Sequence, residues 1–190
     1  MKIVAIIQAR MGSIRLPGKV LKKIGNKNLI EIILERLSHS NEINEIVVAT
    51  SVDSKNDVLQ KFVESLNYNC FRGSEKDVLE RYFMCAERFN ADAVVRVTGD
   101  CPLVDAELVD DLIKQFKKSN VDYLSNVEPS TFPDGLDIEI ISFDALKKAH
   151  LIARSEYDRE HVTPLIRKSD DFSRSSYKYS EDLSNKRWSV

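Results

Sequence analysis

Between residues 6 and 19 the chain reads IIQARMGSIRLPGK, a short stretch that carries three cations, Arg10, Arg15 and Lys19. Gly12, Ser13, Pro17 and Gly18 lie among them and supply the small or φ-restricted positions that a tight loop needs. Cationic side chains and backbone N–H groups on such a loop can wrap phosphates. The GxxxxGK[ST] spacing of a Walker A loop is absent, and so is the Rossmann GxGxxG. The loop therefore reads as a nucleoside-triphosphate cradle of another kind, set against the plainer alternative of a basic, solvated turn.

Among the carboxylates, Asp100 is the strongest candidate, because it follows Gly99 at the end of the apolar run AVVRV. A Mg²⁺ ion usually takes one or two carboxylates and fills its shell with phosphate oxygens and water. One Asp beside a cationic loop is enough for that, although Asp100 can equally cap the turn before Pro102. Asp137 and Glu139 stand two apart in GLDIEIIS, which puts their carboxylates on one face roughly 6.6–6.8 Å apart in an extended strand. They read either as ligands for substrate hydroxyls or a metal, or as the solvated face of a half-exposed strand. His161, in REHVTP, has the polar setting of a substrate contact, with an ordinary solvated role as the alternative. His39 and His150 read as surface helix residues. Arg72, Ser74, Asp77 and Arg81 gather near another strand end, where they can meet a base or ribose, but Asp77 and Arg81 also form an ordinary i,i+4 pair. Cys101 has no neighbouring base in sequence to activate it as a nucleophile.

Positioning these groups requires a framework, and the hydrophobic pattern predicts one. Runs at 3–7, 45–50 and 93–97, rich in β-branched residues, and a short stretch at 69–71 read as strands. Helices are expected after Asn28, after Asp53 or Ser54 to about residue 66, after a capping pattern that starts at Ser74, and from Asp105 to about 118. Four alternations of strand and helix predict an α/β fold with a doubly wound, largely parallel sheet, whose site lies beyond the carboxyl ends of the strands. That rule selects 10–19, 51–53, 72–74 and 98–100, which are the polar segments already noted. Beyond residue 120 the pattern changes, with strands expected at 122–126 and 135–142, helices at 143–153 and 155–168, a polar tail, and the start of a strand at 187–190. The chain reads as a single domain, 1–190, with a nucleotide-binding half at 1–120 and a substrate-binding insertion at 121–180.

Composition narrows the function classes. The chain has 190 residues, of which 43% are hydrophobic and 31% charged, as in ordinary globular proteins. A net charge of −2 provides no field for wrapping nucleic acid. The apolar stretches fall short of the ~20 residues that span a bilayer, and Met1-Lys2 leads into the first strand without an export signal. The three cysteines, Cys70, Cys85 and Cys101, read as free thiols of a cytoplasmic protein.

The loop IIQARMGSIRLPGK resembles the A-R-x-G-S-x-R-x-P-x-K signature of the acylneuraminate and 3-deoxy-manno-octulosonate cytidylyltransferases. FRGSEKDVLERY, VRVTGDCPL, FPDGLDIE and REHVTP together resemble the spore-coat polysaccharide biosynthesis protein F subgroup, in the right order over nearly the whole chain. The resemblance implies a nucleotide-diphospho-sugar-transferase-like fold with an inserted dimerisation arm at about 123–179. It also implies a cytoplasmic, homodimeric, Mg²⁺-dependent enzyme that joins CTP to an acidic sugar and releases pyrophosphate. Arg10, Gly12, Ser13, Arg15 and Lys19 then hold the triphosphate, Arg72, Ser74 and Thr98 the nucleoside, and Asp100 the metal; Asp137, Glu139 and His161 are left to the sugar. Arg15, Lys19 and Asp100 are the residues expected to carry catalysis. The family pattern continues from a strand like RWSV into an Asp that is its second metal carboxylate. Since this sequence stops at Val190, the expectation is a weakened metal site and impaired turnover. Two other classes stay open: a glycosyltransferase of related fold, which would carry a D-x-D motif where this chain has Gly99-Asp100-Cys101-Pro102, and an inactive nucleotide-binding subunit.

Overall fold

The computed structural model describes residues 1–13 and 16–190, so Arg15 lies outside the described residues. Strand β1 (Ile3–Gln8) is buried on both faces, as its run of Ile, Val and Ala demands of a central strand. A 3₁₀ turn (Lys19–Leu21) and a small hairpin, β2 (Lys23–Ile24) with β3 (Lys27–Asn28), lead into helix α1 (Leu29–Ser38). Next come β4 (Glu45–Ser51), a 3₁₀ turn capped by Asp53, α2 (Asp57–Ser65), β5 (Asn69–Gly73), α3 (Val78–Arg88), β6 (Ala93–Thr98) and α4 (Ala106–Ser119). The remainder supplies β7 (Tyr123–Ser125), β8 (Glu139–Ser142), α5 (Phe143–Ile152), α6 (Glu156–His161), α7 (Pro164–Lys168) and β9 (Arg174–Ser176).

Seven strands form one sheet in the order β5-β4-β1-β6-β8-β7-β9. The first four run parallel, β8 is antiparallel to both β6 and β7, and β9 is parallel to β7. Buried residues of α1, α2 and α4 cover one face, and those of α3 and α5 cover the other. The chain steps from β1 out to β4 and β5, then returns to β6 on the opposite side of β1. Helices therefore diverge at β1 and β6 and leave a crevice at their carboxyl ends, the usual ligand position in such sheets. Gly99 makes this junction possible: its N–H donates to the Gln8 carbonyl (2.8 Å), and a Cβ there would stand 2.9 Å from that oxygen. The glycine thus serves strand-to-strand approach rather than the approach of a ligand.

The first 120 residues follow the sequence pattern closely. One cap differs: Asp77, not Ser74, caps α3 by accepting the Glu80 N–H, while the Ser74 hydroxyl accepts the Asp77 N–H. The later chain departs further. The alternating run at 135–142 is strand only from Glu139, because the buried Asn126 side chain, not a strand backbone, accepts the Ile138 N–H. The single helix expected at 155–168 breaks at Val162 (φ 71°) into α6 and α7; Pro164 opens α7 at its first position, where its missing N–H costs no helical bond. The polar tail contains β9, and 187–190 make one isolated bridge, Arg187 to Asp134, rather than a strand. Among the described residues no helix is long and apolar enough to cross a membrane.

Candidate functional site

The basic loop closes on itself. Gly18, at φ 69°, donates its N–H to the Met11 carbonyl (3.0 Å), and Lys19 donates to that of Leu16. Those two N–H groups are spent within the loop and are not free for phosphate. The loop also presents side chains. Arg10, Ser13 and Lys19 line a cavity of about 670 Å³ at the crevice, with Gln8 and Ala9 at the end of β1. Thr98, Gly99, Asp100 and Cys101 form its second wall, and Asp134, Asp137, Arg187 and Ser189 a third.

Within this cavity the two main candidates hold each other. Lys19 Nζ lies 3.1 Å from Asp100 Oδ2 and also donates to the Val190 carbonyl (2.9 Å). Burial works against charge on Asp100, but the Thr98 hydroxyl and the Lys19 ammonium more than offset it and hold the carboxyl below its ordinary value. Cys101 behaves oppositely: burial pushes its thiol up to about 12, so it is protonated at neutral pH and no nucleophile. Arg10 pairs with Glu75 at 2.8 Å on the rim. A Cβ built on Gly12 meets only open space.

Arg72 and Ser74 do not join this wall. The Arg72 guanidinium donates to the Ser51 and Asp53 carbonyls and to Asp57 and Gln60, which ties the ends of β4 and β5 to α2. Ser74 is occupied with its turn, and its carbonyl accepts from the buried Arg81. The Asp77–Arg81 pair is absent as well, since Asp77 pairs with Arg159 on α6 (3.2 Å).

A second cavity, of about 250 Å³, lies beside the first and shares Thr98 and Asp137 with it. Both acidic residues that alternation placed together line this cavity, but they differ in burial and bonding. Glu139 is not solvated: it is 4% exposed, pairs with Arg96 of β6, and accepts the Tyr123 hydroxyl at 2.6 Å. Burial opposes its charge, yet Arg96 and Tyr123 keep its carboxyl below the ordinary value. Asp137, on the irregular segment before β8, is half-buried, and burial with the nearby Asp134 and Glu139 raises it to about 6. His161 does reach this cavity, its ring 4.5 Å from that of Tyr157, along with Thr163 and Arg167.

Residues 4–187 match the family model for cytidylyltransferases. The chain belongs to the cytidylyltransferase family. The spore coat polysaccharide biosynthesis protein SpsF of Bacillus subtilis is 36% identical over 170 residues, covering 87% of this chain and 70% of that protein. The 3-deoxy-manno-octulosonate cytidylyltransferase 2 of Hydrogenovibrio crunogenus is 35% identical over 132 residues, 69% of this chain and 52% of its own. A cytidylyltransferase structure from Leptospira borgpetersenii superposes with a TM-score of 0.96 at 35% identity, covering all of this chain and 81% of that one. The fold is thus the nucleotide-diphospho-sugar-transferase fold, and the relatives include sugar-nucleotide cytidylyltransferases.

Against this cytidylyltransferase frame, the fit of a metal can be judged from the donor set. Among the described residues no three His, Cys, Asp or Glu side chains stand together as ligands. Asp100 offers a carboxylate that is favoured in its charged form beside Lys19 of the basic loop. That fits a cation which brings phosphate oxygens and water as its remaining ligands, the habit of Mg²⁺. Sequence reasoning missed Gln8, Arg96, Asp134, Tyr157, Arg167 and Arg187. For Arg96 a signal existed: a lone cation inside the buried run AVVRVT requires a buried counter-charge, and Glu139 is that charge. For Asp134 and Arg187, 53 positions apart and each on irregular chain, nothing in the local pattern pointed to the site.

Proposed function

We propose that this cytidylyltransferase couples a nucleoside triphosphate, CTP by preference, to an acidic or related sugar and releases pyrophosphate, in the service of surface polysaccharide or glycan synthesis. The observation that carries this reading is the pair of cavities meeting at Thr98 and Asp137: one is lined by the cationic loop and Asp100, the other by hydroxyls, His161 and Tyr157. Two adjoining compartments of this kind suit a triphosphate donor and a polyhydroxyl acceptor. The names of the SpsF and octulosonate relatives support the sugar and CTP parts of the reading.

In this account the acceptor hydroxyl attacks the α-phosphorus in line with the departing pyrophosphate, and positioning with charge stabilisation supplies most of the acceleration. Lys19, with Arg15 by resemblance, neutralises the leaving pyrophosphate, and Arg10 and Ser13 orient the phosphates. A Mg²⁺ ion on Asp100 and the phosphate oxygens would add charge neutralisation at the reacting centre. The reading includes a cytoplasmic homodimer, supported by apolar surface on α5 and α6, where Leu151 and Tyr157 are 59% and 57% exposed. Light scattering tests that part, and a monomer at tens of micromolar removes it.

The central test is pyrophosphate release from CTP, GTP, UTP and dTTP with a panel of 2-keto-3-deoxy sugar acids. Turnover with CTP and at least one acid is expected. No turnover with any pair, or preference for another nucleotide, overturns the reading.

A further inference from the structure

This inference rests on the transfer reading above and identifies the group that takes the acceptor's proton. Asp137 differs from the other carboxylates of the two cavities in position, bonding and mounting. Only it and Thr98, among the described residues, line both cavities, so its carboxyl faces the place where an acceptor hydroxyl must meet the donor phosphate. Asp100 is paired with Lys19, Asp134 with Arg187 and the Ser189 hydroxyl, and Glu139 with Arg96 and Tyr123. The Asp137 carboxyl makes no hydrogen bond or ion pair with any described residue.

Its mounting is rigid nonetheless. Asn126, 1% exposed, donates from Nδ2 to the Leu136 carbonyl (2.7 Å) and accepts the Ile138 N–H at Oδ1 (2.8 Å). One buried side chain thus pins the residues on both sides of Asp137. A partly desolvated carboxylate without a partner costs folding free energy, and this one is held at the junction rather than released to solvent. The other titratable candidate, His161, lines only the smaller cavity.

We propose that Asp137 is the general base of the transfer: its carboxylate takes the proton of the acceptor hydroxyl as that oxygen bonds to the α-phosphorus. In the same displacement the bond from the α-phosphorus to the oxygen bridging the β-phosphate breaks, and its electron pair leaves with pyrophosphate. The proton ends on an Asp137 oxygen and passes to solvent. A base works best with its acidity near the operating pH. Burial, Asp134 and Glu139 bring Asp137 there, with Arg96 opposing and Asp100 adding to the rise; Tyr157, His161 and Arg167 are the other ionisable groups facing the smaller cavity, and Arg10, Lys19, Cys101 and Arg187 those facing the larger.

The experiment compares the parent protein with Asp137→Asn and Asp137→Glu, using CTP and whichever panel acid the parent turns over. Asp137→Asn is expected to lower kcat on the order of 10²-fold or more, the usual size of a general-base contribution. Its CTP affinity by calorimetry and its half-saturating Mg²⁺ concentration are expected to stay within about twofold of the parent, since neither ligand is assigned to it. In the parent, kcat/KM falls as pH drops through about 6, where Asp137 of the free protein becomes protonated. That limb disappears in Asp137→Asn, and Asp137→Glu, which restores a carboxyl on a longer stem, recovers part of the rate. A kcat within threefold of the parent in Asp137→Asn overturns the assignment, and a raised Mg²⁺ requirement overturns it in favour of a metal ligand. Lost CTP binding overturns it in favour of a donor-site or folding role. If the parent turns over no member of the panel, the functional reading fails and the inference fails with it.

Discussion

The two cavities both contain a cation paired with a carboxylate, but the pairs are built for different ends. Lys19 and Asp100 meet at 3.1 Å on the wall of the larger cavity, with the Asp100 side chain 35% exposed, so water or a ligand can reach and replace either partner. Arg96 and Glu139 lie at the wall of the smaller cavity, with the Glu139 side chain only 5% exposed and capped by the Tyr123 hydroxyl, so the pair is far less open to exchange. The first pair is open to exchange with solvent. The second is a scaffold that fixes the floor of the smaller cavity and leaves Asp137 as its one unpaired carboxylate among the described residues. The difference teaches that charge near a ligand site means recognition only where solvent can compete for it.

That contrast breaks most visibly in the buried pair. Glu139→Ala leaves Arg96 without its counter-ion inside the sheet and is expected to cost about 3–5 kcal/mol. Urea denaturation measures this, and a loss under about 1 kcal/mol would mean the pair is wetter than its burial indicates. Replacing both members by apolar residues, Arg96→Met with Glu139→Leu, should recover much of the loss, because no lone charge then remains buried.

The exchangeable pair gives the next largest effect, on binding rather than folding. Lys19→Met removes a cation from the phosphate loop, and a hydrogen bond to a charged group contributes about 1.5–3 kcal/mol. CTP binding should therefore weaken by one to two orders of magnitude. Asp100 loses its counter-ion in the same variant, so Mn²⁺ alone, followed by the electron paramagnetic resonance of the free ion, should bind more tightly than to the parent. Unchanged affinity for both ligands would show that Lys19 faces neither.

Why one pair was legible in the sequence and the other was not has a physical reason. The parallel half announces itself, since buried strands are continuous apolar runs, the helices between them have periodic apolar faces, and the site rule then selects the strand ends. Lys19 and Asp100 emerged that way, from loops that a regular framework must bring together. The Arg96–Glu139 pair joins an antiparallel strand from the irregular half to β6, and a register between strands 43 positions apart leaves no local trace. Alternation around Glu139 left a ligand-facing side and a solvated face equally open, because period two reports which residues share a side, not which side meets water. Asp137 was grouped with Glu139 for the same reason, and the Asn126 side chain that ends the strand between them is a tertiary contact. The break at Val162 was partly readable from Pro164; the bridge from Asp134 to Arg187 was not readable at all.

Arg72 tests a subtler confusion, between a cation near the site and a cation of the site. Its guanidinium makes four hydrogen bonds, to Ser51, Asp53, Asp57 and Gln60, so Arg72→Ala is expected to lower stability by about 1–2 kcal/mol, the common range for a lost polar network member. CTP affinity should not move beyond twofold. A large loss of CTP affinity with normal stability would place Arg72 back among the nucleoside contacts that its sequence position implied.

The smallest effect bears on the same contrast from the folding side. Asp137 is raised to about 6 in the folded chain from an ordinary value of 3.8. The folded state therefore binds more protons than the unfolded state between those two values, and stability falls as pH rises through that window. Above it the charged carboxylate is a net liability, which, with solvent screening of a group that is partly exposed, amounts to about 1 kcal/mol. Asp137→Asn should accordingly raise the urea midpoint at pH 7.5 and leave it unchanged at pH 3.5, where both forms are neutral. The same substitution is expected to lose turnover, and that combination is the signature of a group kept for chemistry against the interest of the fold. Glu139, two positions away, should behave in the opposite sense: its carboxyl is held below the ordinary value, so its contribution to stability is present at neutral pH and is lost as pH falls. Opposite pH slopes from two neighbouring carboxylates would separate scaffold from site without any assay of activity, and parallel slopes would remove the distinction on which the assignment of Asp137 depends.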